Sequence, residues 1–386
     1  MKNSSVANAT TGAILSAAIL SAIGIACWNL LPVTLGAAAD SYSLSDQQLG
    51  LLGSSLLTGW LIATVPAFFY MKSINRRWVT VFGVSLAASG SIVSVFLDSI
   101  LVLYISWAIA GFGMALIYCV SIQLIAELGD IERSFGYKIV AEVTGGAILL
   151  YIFPVFIISI WHYAGASFGV AITYMSALFF LRWITPFQPE EQESPERKEG
   201  SAPPAAWIAV IALLVFLSGV TGLWAFLERI GTDIGVSSNQ MGVFLSILKL
   251  FGGLAGLTVI LASAKFGVRW PHIAAIITIA VGVLLLHLAE DAYTYAVAIW
   301  IWEFGFSLGV AYQFAAIARL DTTNRLLLLV PSCIGLAGMI GPAVAGYIKQ
   351  GESYTNIYIF AVLTMIIPSL VFIYLTSKKM AVEVTQ

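Results

Sequence analysis

Lys249 and Glu303 are ionisable side chains set near the middle of long apolar stretches, Leu-Ser-Ile-Leu-Lys249-Leu-Phe-Gly-Gly and Ile-Trp-Ile-Trp-Glu303-Phe-Gly-Phe-Ser. A charge at the centre of a bilayer costs about 3 kcal/mol on insertion scales, so it normally faces a partner or a water-filled cavity. A Lys and a Glu so placed can trade protonation states, pair with one another, or meet a charged solute. The alternative is a static pair that only locks its helices together. On helical spacing Lys249 shares a small-residue face with Gly242, Ser246, Gly252, Gly253 and Gly256, and Glu303 shares an aromatic face with Ile299, Trp300, Phe306, Ser307 and Val310. Lys138 and Glu142 form a second acid–base couple, four residues apart beside Gly145 and Gly146. They read either as an interfacial pair or as part of a gate. Asn29 beside Trp28, Tyr118 and Gln123, Tyr151, and Trp224 are candidates for a mixed aromatic and polar cavity.

Composition decides where these residues must live. With 60% apolar residues, 10% charged and a mean hydropathy of +0.95, the chain cannot cover itself with a water-soluble surface. It reads as an all-α integral membrane protein. A net charge of −2 offers no basic field for nucleic acid. Cys27, Cys119 and Cys333 are scattered through apolar stretches without His or Asp nearby, which suggests neither disulfides nor a metal site. His162, His272 and His287 fall near expected helix ends. No His cluster, paired Asp motif or Gly-x-Ser-x-Gly is present, so no catalytic residue and no cofactor are expected. The polar start followed by an apolar run to Ala39 exceeds the length of a signal peptide.

The elements that position Lys249 and Glu303 come from a repeat. Ser45, Gln48 and Gly50 recur as Ser237, Gln240 and Gly242, Arg77-Trp78 as Arg269-Trp270, Gly113 as Gly305 and Arg133 as Arg325, all at a constant offset of 192 residues. Between the copies, Pro186 to Pro204 holds seven of the thirty-eight charged residues. The expected organisation is an N-terminal six-helix bundle over 1–185, a charged linker over 186–205, disordered for want of apolar residues, and a C-terminal six-helix bundle over 206–386. At about 20 apolar residues per crossing, the spans fall near 12–39, 48–71, 78–97, 101–126, 139–160, 164–183, 206–230, 240–263, 270–289, 292–318, 326–348 and 355–376. With the N-terminus inside, fifteen Lys and Arg lie on the cytoplasmic side against Arg229 and Lys349 outside. Both termini are therefore expected in the cytoplasm, with the chain in a plasma membrane, most simply a bacterial inner membrane. The repeat leaves the charges unmatched, because Lys249 corresponds to Leu57 and Glu303 to Gly111.

Two six-helix halves joined by a charged loop resemble the major facilitator superfamily of secondary transporters. Lys72-Ser-Ile-Asn75-Arg76-Arg77 and Ala264-Lys265-Phe-Gly267-Val-Arg269 stand where that family has its loop motif, with Lys72 at the usual acidic position. Gly111-Phe-Gly113 resembles its fourth-helix motif, with Trp107 in place of an Arg, and Gly335, Gly338, Gly341-Pro342 and Gly346 resemble its eleventh helix. The Gly-Pro pair of the drug antiporters is missing after Glu142. The resemblance implies a cavity lined by the first, fourth, seventh and tenth helices, which groups Asn29, Tyr118, Gln123, Trp224 and Trp300 with Lys249 and Glu303 as substrate or proton-coupling residues. It also puts Lys138, Glu142, Arg76, Arg77 and Arg269 at gate positions, with Gly136 and Arg325. The implied function is alternating-access movement of a small organic solute across the lipid bilayer. Many aromatics, few charges and one acid–base pair suggest an amphipathic or zwitterionic solute, and a lone Glu beside a Lys, with no cluster of oxygen ligands for an ion, favours coupling to protons; a monomer is expected. A receptor that kept the fold without flux, or an uncoupled uniporter, is the rival reading.

Overall fold

The computed structural model describes residues 2–70, 74–96, 99–126, 131–186, 202–262, 269–321, 326–349 and 351–384. The segment 187–201, which holds most of the expected linker with Arg197 and Lys198, lies outside them, as do Lys72, Lys265 and Arg325. The described chain runs through α1 (Lys2–Gly24), α2 (Ala26–Tyr42), α3 (Asp46–Tyr70), α4 (Arg76–Phe96), α5 (Ile100–Ala126), α6 (Ile131–Ile152), α7 (Ser159–Met175), α8 (Pro204–Asp233), α9 (Ser238–Ala262), α10 (Arg269–His287), α11 (Ala292–Leu320), α12 (Val330–Ile348) and α13 (Thr355–Val384). Helices are what a spanning chain requires, since lipid offers no partner to an open backbone group.

Among the described residues, eleven helical stretches are long and apolar enough to cross a bilayer, and one of them, Gly136–Trp183, is 48 residues long. As a straight helix it would extend about 72 Å, more than twice the hydrocarbon thickness. Instead the chain reverses at His162, whose φ of 50° and ψ of −143° are not helical. The reversal brings Gly169 against the ring of Phe153, sixteen positions earlier. The stretch is thus two crossings, which makes twelve. Before the turn, Phe153–Ile158 is a π-helix. Pro154 explains it, because a proline removes a helical hydrogen bond and crowds the preceding turn, which the wider π turn accommodates. The last stretch of the sixth crossing, Ser176–Trp183, winds as a 3₁₀ helix. The first crossing is broken between α1 and α2 at Ile25, beside Gly24, which lies against the backbone of Tyr118.

By their contacts the residues fall into two compact units, Met1–Ser45 with Leu51–Gln192, and Asp46–Gly50 with Glu193–Gln386. The offset of 192 reappears in the packing of each. In the first unit Gly113 lies against the backbone of Ala87 and Gly90 against Ala110. In the second Gly305 lies against Ile279 and Gly282 against Trp302, the same four positions advanced by 192. The repeated Ser-x-x-Gln also acquires a structural meaning. Ser237 N–H donates to Gln240 Oε1 at 3.1 Å while Gln240 N–H donates to Ser237 Oγ at 3.4 Å, a capping box at the start of α9.

Large apolar side chains such as Phe82, Ile105, Ile172, Ile260 and Leu284 stand exposed, as a lipid-facing belt requires. At the end of α12, Lys349 Nζ donates to Asp46 Oδ2 at 2.9 Å and lies 4.6 Å from the ring centre of Tyr354. The Tyr354 hydroxyl donates to Asp233 Oδ2 at 2.6 Å. Burial, and then that bond to a carboxylate, hold the phenol above its ordinary value.

Candidate functional site

In the second unit, α8, α9 and α11 bring four of the expected residues together. The Lys249 ammonium sits 4.6 Å from the ring centre of Trp224, within reach of a cation–π attraction. Glu303 is only 5% exposed. Its Oε1 accepts a long hydrogen bond of 3.3 Å from Ser307 Oγ. Lys249 and Glu303 act on one another electrostatically, yet among the described residues no ion pair closes on either. Trp300, one turn before Glu303, stacks on Phe251 at 5.6 Å and 12° and donates its Nε1–H to the Phe244 carbonyl at 2.9 Å.

Room for this arrangement comes from a size exchange between the repeats. In the first unit, Gly59 and Ala108 let α3 and α5 touch backbone to backbone, and Gly111 lies on the carbonyl of Leu56. The corresponding residues of the second unit are Phe251, Trp300, Glu303 and Leu248. Stacked rings replace the Gly–Ala contact and a carboxylate replaces Gly111. The bulky Trp60 of the first unit corresponds to Gly252, against whose α-carbon the Glu303 carboxylate lies. The sequence puts Gly252 and Ser307 on the faces of Lys249 and Glu303, but does not show the exchange of large for small that sets Gly252 against the carboxylate. Of the small-residue face, Gly252 meets Glu303 and Ser307, whereas a Cβ on Gly256 would meet nothing within 4 Å.

In the first unit, α1, α5 and α6 assemble a second polar cluster. Glu142 Oε1 takes the Lys138 ammonium at 2.7 Å and the Ser21 hydroxyl at 2.5 Å. Lys138 lies 5.3 Å from the ring centre of Tyr118, and the Tyr118 ring also meets the Trp60 ring at 5.0 Å. Helix α6 begins at Ile131, earlier than the apolar pattern suggests, so Glu142 stands about three turns inside it rather than one. Asn29 is buried where Gly146 approaches it, and Gly145 packs on Ala22. Gln123 is partly buried, and among the described residues its Oε1 has no hydrogen-bond partner. Tyr151, in contrast, is 40% exposed. Ser21 and Trp60 carried no signal in sequence, since an isolated Ser or Trp in an apolar span reads as packing.

The loop arginines are bound locally. Arg76 is fully buried; its backbone N–H donates to the Pro186 carbonyl at 2.9 Å and its Nη1 to Thr185 Oγ1 at 3.4 Å. Arg77 Nε–H donates to the Ile184 carbonyl at 2.8 Å. Both therefore fasten the start of α4 to the end of the sixth crossing. Arg269, the counterpart of Arg77, opens α10 and is exposed. Trp107 donates its Nε1–H to the Tyr163 hydroxyl at 2.8 Å, which donates to Ser94 Oγ at 2.8 Å. That buried relay ties α4, α5 and α7 where an Arg would sit in the resembled motif.

A sequence profile described as Major Facilitator Superfamily matches residues 14–325. No curated protein matches the sequence significantly. The fold is similar to the crystal structure of the nucleoside transporter NupG, at a TM-score of 0.72 and 14% identity, covering 94% of this chain and 99% of that one. It is similar to a bacterial homolog of the human lysosomal transporter Spinster in an inward-facing, occupied conformation, at 0.73 and 15%, covering 95% and 96%. A D-xylose–proton symporter superposes at 0.71 and 16%, covering 94% and 95%. With the profile spanning most of the chain and twelve crossings in two units, the chain belongs to the major facilitator superfamily.

Proposed function

We propose that the protein is a secondary active transporter that moves a small organic, amphipathic or zwitterionic solute by alternating access, with proton coupling through Lys249 and Glu303. The observation that carries this is a 5% exposed carboxylate in a membrane-spanning helix, with no ion pair to neutralise it among the described residues. A scaffold gains nothing from such a group, since apolar residues of similar volume pack as well or better. A group that changes its charge or partner between two conformations gives a gradient something to act on. The unmatched repeat supports the same reading, because Gly111 performs the packing role at the equivalent position without a charge. Lys138 and Glu142 then serve as a conformational gate in the first unit, with Arg76, Arg77 and Arg269 at the cytoplasmic ends. Both termini lie in the cytoplasm, and the protein acts as a monomer.

Flux in proteoliposomes under an imposed pH gradient tests the assignment, with solutes first screened by the rise in melting temperature that they give the purified protein. Glu303→Asp is expected to keep part of the flux with a displaced pH profile. The double variant Lys249→Leu with Glu303→Leu is expected to fold and reach the membrane but to lose pH-dependent flux. Full, still pH-sensitive transport by that double variant would show a static pair instead.

A further inference from the structure

The Lys249 ammonium is held as a bound amine ligand would be: on a tryptophan face, and on the same helix turn as Gly252, against which lies a buried carboxylate that accepts from the Ser307 hydroxyl. We infer that this cradle of Trp224, Glu303 and Ser307 binds an organic ammonium ion, and that the Lys249 side chain occupies it when no ligand is present. The inference rests on the reading that Glu303 belongs to the transport site, and it narrows the solute to a cation or to a zwitterion entering by its ammonium end. A neutral or anionic solute would leave Glu303 uncompensated or repel it. Tryptophan is the best of the aromatic faces for a cation, and the attraction grows when water is excluded, as it is around Glu303. The stacked Phe251 and Trp300 lie next along α9 and α11 and offer an apolar wall to the body of the solute.

Charge balance makes ligand and lysine exclude one another. Among the described residues Glu303 is the one carboxylate that acts on Lys249; it compensates a single cation, and a second ammonium beside it would be an excess charge in an apolar surround. Lys249 is free to leave because no ion pair fixes it among the described residues, and its four-carbon stem is flexible. Lys249, Gly252 and Ser307 are partly exposed, so the cradle is reachable although the carboxylate is buried. Exchange of one ammonium for another needs no chemical step, and the lysine ammonium swings off the ring as the ligand settles on it.

The test uses the full-length protein in detergent, with benzylamine in its ammonium form and benzyltrimethylammonium as probes, and benzyl alcohol and benzoate as the uncharged and anionic comparisons. Both cations are expected to raise the melting temperature, and neither comparison compound is. Lys249→Met removes the internal competitor. The ligand-free variant should melt lower, with Glu303 deprived of the nearby positive charge, yet should bind the cations about tenfold more tightly and be stabilised by them more than the parent. Trp224→Leu should weaken cation binding about tenfold, and Glu303→Gln should abolish it. Equal stabilisation by benzyl alcohol, or cation binding by Lys249→Met no tighter than by the parent, overturns the inference. Should Glu303→Gln fail to fold, the Lys249→Met and Trp224→Leu affinities decide alone. Equilibrium binding involves no gradient, so the two readings fail separately. Cation binding without pH-driven flux would refute the coupling role, and pH-driven flux of another solute without cation binding would refute this inference.

Discussion

At the scale of single residues, the same type of side chain does different work according to what surrounds it. Glu142 meets a lysine and a serine at bonding distance and is satisfied, whereas Glu303 has a long bond to Ser307 and a lysine that faces a ring. Asp291, at the exposed start of α11, caps the helix. Its Oδ1 accepts from the Tyr293 and Thr294 N–H groups at 2.8 and 3.0 Å, and its Oδ2 from the Thr294 hydroxyl at 2.5 Å. The side-chain bond from Thr294, then the two backbone bonds, hold the carboxyl below its free value of 3.8. A depressed folded-state value means that the stabilisation is fully present above 3.8 and fades as the pH falls through the lower value. Asp291→Ala is therefore expected to lower the melting temperature at neutral pH, with the deficit shrinking in strong acid, whereas Asp291→Asn should lose less because an amide oxygen still caps. A deficit that stays constant down the acid range would count against the cap.

At the scale of elements, turns and breaks are set by local chemistry that hydrophobicity does not register. The fifth and sixth crossings meet at His162 with a positive φ, a conformation that glycine adopts freely and a side chain does not. Strain of this kind costs about 1–3 kcal/mol. His162→Gly should consequently leave the reversal intact and raise the melting temperature in detergent. An unchanged or lower value would mean that the imidazole makes a compensating contact. Pro154 and the π-helix next to it belong to the same corner, so this hairpin is shaped by one proline and one strained residue.

At the scale of the whole molecule, duplication explains both what the two units share and where they part. Gly90 and Gly282 occupy equivalent places, and a Cβ on either would collide with the backbone of the neighbouring helix, at Ala110 or at Trp302. Backbone cannot yield as a flexible side chain does, so Gly90→Ala and Gly282→Ala should each cost about 1–3 kcal/mol, by similar amounts. Gly256→Ala meets open space inside a helix and should be neutral or slightly stabilising. Thermal melts of the three variants decide this, and a harmless change at Gly282 beside a damaging one at Gly90 would break the equivalence.

The sequence by itself determined the membrane environment, the all-helical class, the duplication and its offset. Those properties follow from composition and from residue identities repeated at a fixed interval, and neither depends on how helices meet. It also singled out Lys249, Glu303, Lys138 and Glu142, since a charge in an apolar run stands out on energetic grounds alone. Only the tertiary structure decided which of these charges are satisfied. Lys138 and Glu142 close on one another because four residues make one helical turn. Lys249 and Glu303 sit on different helices, and their separation depends on spacers, Phe251 with Trp300 on one side and Gly252 on the other. The offset in sequence identifies the partners of that exchange. The width of the seam between α9 and α11 is a sum of side-chain volumes from two helices, and it exists only once they are packed.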